Sequence, residues 1–84
     1  MADEEVRCAL IGIIVEDKRN IGRLNEILFE YSEYIFGRMG VPHRNNGISL
    51  ISVAVEAPLT MINSLSGKIG MIDGITSKVI YAKK

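Results

Sequence analysis

Val6-Arg7-Cys8-Ala9-Leu10-Ile11-Gly12-Ile13-Ile14-Val15 is β-branched at its centre and interrupted by one charge. As a helix it would make about half a bilayer span, too short to cross a membrane, and it reads as a β-strand. Successive side chains of a strand point to opposite faces. Here both alternating sets, Val6/Cys8/Leu10/Gly12/Ile14 and Arg7/Ala9/Ile11/Ile13/Val15, are largely apolar. Such a strand belongs in the middle of a sheet with apolar material against each face.

The elements that follow supply that sheet. Asp17 or Asn20 can cap a helix, because either side-chain oxygen can accept from the first unsatisfied N–H groups. Ile21, Leu24, Ile27, Leu28 and Tyr31 then recur at steps of three and four, with Arg23, Glu26, Glu30 and Glu33 on the other side. That spacing predicts an amphipathic helix of roughly four turns. Tyr34 to Pro42 is aromatic and β-branched but contains Gly37, Gly40 and Pro42, as an edge or bulged strand would. His43-Arg44-Asn45-Asn46-Gly47 is a turn, and Ile48 to Val55 is the returning strand of a hairpin. Pro58 suits a first helical turn, with Leu59, Ile62, Leu65 and Ile69 at helical spacing, Gly70 near the C-cap and Asp73-Gly74 as a turn. Ile75 to Ala82 closes the chain as an edge strand, where Lys78, Lys83 and Lys84 discourage edge-to-edge pairing.

The order β-α-β-β-α-β is that of the ferredoxin-like α+β unit. It predicts a four-stranded antiparallel sheet in spatial order 4-1-3-2 with both helices on one face. A single domain over residues 1–84 is expected, with residues 1–5 as a flexible tail. The two most apolar strands fall in the middle, yet the helices cover only one face. The third strand is apolar on both sides as well, with Ile51, Val53 and Val55 opposing Leu50 and Ala54. An exposed patch of this kind marks an interface. Burying some 300–600 Å² at roughly 25 cal/mol per Å² contributes about 8–15 kcal/mol gross, before association costs. A homo-oligomer, dimer or tetramer, is therefore expected through the sheet face or a strand edge.

Composition narrows the function. Ten Lys+Arg balance ten Asp+Glu in 84 residues, which argues against general nucleic-acid binding. One cysteine excludes an internal disulfide and a structural zinc or iron–sulfur site built from one chain's thiols, and suits a reducing compartment. The acidic start Asp3-Glu4-Glu5 is unlike a secretory signal, so the expected location is the cytoplasm, with no membrane association.

No catalytic residue, metal ligand or cofactor is assigned. Cys8 reads as a small hydrophobe on a buried strand, and His43 as a solvated loop residue. Gly67-Lys68-Ile69-Gly70 lacks the Walker spacing and falls at a helix end, where close packing and a C-cap account for the glycines. Glu26, Glu30 and Glu33 form an ordinary solvated helix face. Arg38 on an apolar strand would need a partner if buried, either a carboxylate of the chain or an anionic ligand; at an edge it would be solvated.

Three stretches carry a resemblance: Asn20 to Leu28, Ile35 to Pro42, and Ser64 to Gly70. On these, over nearly its whole length, the chain resembles a family of short bacterial iron-only hydrogenase system regulators. These lie in the ACT-like superfamily, alongside the C-terminal domain of the nickel-responsive regulator. The resemblance implies an ACT-like fold, homo-oligomerisation and a regulatory role linked to hydrogenase maturation. ACT domains commonly bind an amino acid between subunits near a glycine after the first strand. Gly22 is the nearest equivalent, although Lys18-Arg19-Asn20-Ile21 lengthens the approach and lacks the usual proline. With only Cys8 and His43 to offer, nickel sensing does not carry over, and DNA binding by this chain alone is not expected.

The reading that results is a non-enzymatic regulatory module that senses a small ligand or docks a regulatory protein partner. A small anion or amino acid would bind between subunits at Asp17, Asn20 and Gly22, with Arg38, because a glycine turn beside a helix N-terminus favours carboxylates. The alternative is a structural protein–protein interaction module with no small-molecule ligand.

Overall fold

A computed structural model of the protein describes residues 5–43 and 47–83. The strands and α-helices run in the order β1 (Val6–Val15), α1 (Ile21–Glu30), β2 (Ile35–His43), β3 (Ile48–Pro58), α2 (Leu59–Gly70) and β4 (Ile75–Tyr81). The strands form one antiparallel sheet in the order β2-β3-β1-β4. This is the ferredoxin-like α+β arrangement, with β1 and β3 at its centre. Four of the five tail residues, and the centre of the β2–β3 turn, lie outside the described residues. Glu5 is exposed and outside any regular element.

The two apolar sets of β1 separate cleanly. Ala9, Ile11, Ile13 and Val15 are buried together with Ile51, Val53, Val55 and Ala57 of β3. Leu24, Ile27 and Leu28 of α1, and Ile62, Leu65 and Ile69 of α2, close on them from one side. Full burial of a side chain such as Ile11, with 0% exposure, contributes about 1.5–3 kcal/mol. The helices are joined to each other by a Tyr31–Ser64 hydroxyl hydrogen bond of 2.9 Å and a Lys68–Glu30 ion pair of 3.6 Å.

Element ends differ from the sequence expectation in ways that follow from local chemistry. Asp17 heads a single 3-10 turn at Lys18–Asn20 by accepting from the Arg19 backbone N–H, and α1 begins only at Ile21. Its ten residues make about three turns rather than four. Asn20 makes no capping bond; its Nδ2 donates instead to the Asp73 carbonyl at 2.7 Å. Pro58 ends β3 and precedes α2, outside the first helical turn. His43 closes β2 opposite Ile48, on a strand and not in a loop.

The edge strand β2 is bulged. Its register against β3 shifts between Ile35 and Gly37, so Phe36 is an extra residue in the ladder. At the opposite end of the sheet, the turn leading into β4 packs on the turn leaving β1. Glu16 N–H donates to the Gly74 carbonyl at 2.7 Å. Gly74 has φ +78°, and a Cβ there would collide with Cβ of Asp17.

Candidate functional site

The second apolar set of β1 is left uncovered. Leu10 lies opposite Ala54 on β3 and Ile80 on β4; Ile14 lies opposite Leu50, which lies opposite Val41 on β2. Met39 is level with Ser52 and Gly12, and the bulge adds Phe36 to this side, beside Cys8, Leu10, Ala54 and Ile80. Leu10 is 45% exposed, Phe36 67% and Ile80 68%. The sheet face away from the helices is thus open to solvent and predominantly aliphatic along β1.

Two shallow hollows shape it. One of about 260 Å³ opens at Gly12, between Ile14, Leu50, Thr76 and Lys78, where a Cβ would meet nothing within 4 Å. The other, about 330 Å³, lies between Cys8, Leu10, Phe36, Ala54 and Ile80. Charge is sparse: Glu56, opposite Cys8, and Lys78, opposite Gly12, are the ionised groups at the face's paired positions among the described residues. Alternating aliphatics with few charges make a surface suited to a protein partner.

The residues expected to gather a ligand divide into two places. Asp17, Asn20 and Gly22 stand together where β1 runs into α1. Both oxygens of Asp17 are engaged by Arg19, at 3.0 Å from Nε and 2.9 Å from Nη2. Those side-chain bonds, then the Arg19 backbone N–H, hold the Asp17 carboxyl below the usual carboxylate value. Asn20 is spent on tethering the two turns. Gly22 faces open space inside a helix, where glycine costs backbone entropy. Gly22→Ala should therefore raise stability by about 0.5–1 kcal/mol, read from a thermal melt; a lower melting temperature would mean the space is not open.

Arg38 stands elsewhere. It pairs with Val53, whose partner on β1 is Ile11, four residues and about 13 Å along the sheet from Val15. It lies on the helix side at the β2 edge, exposed, with Nη2 donating to Asn25 Oδ1 at 2.9 Å. Neither an internal ion pair nor full burial applies to it among the described residues.

Cys8 is the correction that bears most on the open face. It is half-buried on the uncovered side, because even-numbered β1 residues face away from the helices; the sequence pattern showed two apolar faces without showing which one the helices take. Phe36 and Asn25 were not singled out from sequence. The glycine after Phe36 signalled a bulge but not its direction, and Asn25 belongs to a polar helix face with no distinguishing pattern. Among the described residues no group of three or more His, Cys, Asp or Glu could hold a metal ion, and no helix is long and apolar enough to cross a membrane.

Comparison with known proteins gives two kinds of likeness. A family model, TM1266-like, matches residues 7–79; its description, provisional in its own wording, is an iron-only hydrogenase system regulator. The solved structure of the uncharacterized protein TM1266 from Thermotoga maritima superposes with a TM-score of 0.90 at 31% identity, covering 94% of this chain and 100% of that one. A formyltetrahydrofolate deformylase from Pseudomonas putida KT2440 matches with a TM-score of 0.66 at 13% identity, over 92% of this chain and 29% of that one. The latter is a likeness of fold alone. No curated protein matches.

Proposed function

This chain belongs to the TM1266-like iron-only hydrogenase system regulator family, and from that premise we propose a non-enzymatic, ACT-like regulatory module that works as a homo-oligomer in the iron-only hydrogenase system. The observation that carries the assembly is the open sheet face, to which each of the four strands contributes at least one exposed large apolar side chain, away from the helix-side core. The occupant that suits it best is a second copy. A two-fold contact presents the same patch from both partners, which pairs aliphatic surface with aliphatic surface. It also lets Glu56 of one copy meet Lys78 of the other, so that the face's two charges complement each other. The zero net charge of the chain adds no long-range repulsion.

Regulation by such a module means that a bound small molecule or a docked protein changes its assembly or its surface. The non-enzymatic reading follows the family's description as a regulator. The test joins assembly to function. Host cells carrying Leu10→Glu should show the same change in iron-only hydrogenase activity as cells lacking the protein. Unaltered hydrogenase activity in cells lacking the protein would overturn the regulatory role.

A further inference from the structure

A cleft between α1 and the β2 edge has properties that the open face does not share. It is a hollow of about 350 Å³ lined by Asn25, Leu28, Phe29, Ser32, Ile35 and Arg38. Leu28 is buried and Ile35 half-buried, giving apolar walls, while Phe29 stands 79% exposed at the rim. The polar groups are biased to one task. Arg38 has no carboxylate partner among the described residues, and no Asp or Glu lines the cleft.

The single bond from Arg38 Nη2 to Asn25 Oδ1 occupies the amide oxygen and leaves the Asn25 NH2 as a donor. Ser32 adds a hydroxyl. A guanidinium, an amide NH2 and a hydroxyl beside apolar walls form an anion-selective, largely apolar pocket of the size small-molecule sites commonly have. The planar fork of arginine matches a carboxylate bidentately.

We propose that this cleft binds a small organic monocarboxylate with a compact apolar body, Arg38 and Asn25 holding the carboxylate while Leu28, Phe29 and Ile35 hold the body. Inorganic anions would leave the apolar walls unused. The site deepens the sensing part of the function above but does not require self-association. It also lies one residue from the open face, since Ile35 lines the cleft and Phe36, displaced by the bulge, lies beside Leu10 and Ile80.

The test is a 15N–1H NMR titration of the full chain with 3-phenylpropionate, its uncharged amide 3-phenylpropanamide, and inorganic phosphate. The carboxylate should shift the amides of Asn25, Phe29, Ser32 and Ile35, and bind at least about tenfold more tightly than the amide or phosphate. Arg38→Gln should weaken it by about tenfold or more. Asn25→Asp, which keeps Arg38 but gives it a carboxylate partner, should weaken it comparably. Absence of shifts, an equal response to all three probes, or shifts confined to Leu10, Ile14 and Ile80 would overturn the proposal. Oligomeric mass is read separately, so failure here and failure of the assembly are distinguishable.

Discussion

If the chain assembles through the open face as proposed, Leu10→Glu is expected to leave it a folded monomer. In one chain Leu10 is 45% exposed, so a carboxylate there reaches water and leaves the helix-side core of Ile11, Ile13 and Val53 untouched. In the assembly the same carboxylate would be enclosed between Ala54 and Ile80 and the apolar face of the second copy. An uncompensated charge in such a place costs several kcal/mol, and a two-fold contact would bear it twice. Against a gross gain of about 8–15 kcal/mol for 300–600 Å² of apolar surface, less association costs, this decides the equilibrium. Light scattering after size exclusion should give the monomer mass, with an unchanged far-UV circular dichroism spectrum. A variant that keeps the wild-type mass would place the interface elsewhere.

Gly74→Ala is expected to cost about 2–5 kcal/mol, the largest effect of a methyl group added at any glycine of the chain. Two penalties coincide. The φ of +78° is left-handed, which costs an L-residue about 1–2 kcal/mol. The new Cβ would also collide with Asp17 Cβ and stand 3.3 Å from the Asp17 backbone N, an overpacking that costs typically 1–3 kcal/mol. Because Glu16 N–H donates to the Gly74 carbonyl and Asn20 to Asp73, the two turns cannot separate without losing these bonds. For a domain of this size the melting temperature should fall by roughly 10–25 °C. Gly47→Ala is the matched comparison: φ is +70°, but among the described residues the nearest atom is Lys18 Cε at 3.9 Å, so the backbone penalty of about 1–2 kcal/mol is the one expected. Equal melting temperatures for the two variants would remove the turn–turn contact from the account.

What the sequence made legible is what local pattern encodes. The two-sided apolarity of Val6–Val15 implied a central strand, and the periodicities around Leu24 and Ile62 implied two helices. Those elements admit few arrangements, and the sheet order follows from them. The open face was legible for the same reason, since Leu10, Ile14 and Leu50 have no polar alternation to hide behind. Less legible was whatever depends on partners distant in sequence. Asn20 resembles a cap by type but bonds to a carbonyl 53 residues away. Gly74 reads as an ordinary turn glycine, while its second constraint comes from Asp17. Arg38 could be flagged as unusual on an apolar strand, but its partner Asn25 sits on another element, and only the fold brings them together. Cys8 reads as a small hydrophobe on a buried strand because β1 is central, yet a central strand has a helix-covered face and an open one, and Cys8 is half-buried on the open one.

The measurement that bears most directly on the central claim is native mass spectrometry of the wild-type protein as purified, kept anaerobic and repeated over a dilution series. A dimer or tetramer that persists on dilution is the predicted result, because an apolar sheet face of this extent is satisfied by a second copy. A monomer at every concentration would contradict it, and would mean that the face spanned by Leu10, Ile14, Leu50 and Ile80 is kept open for some other partner.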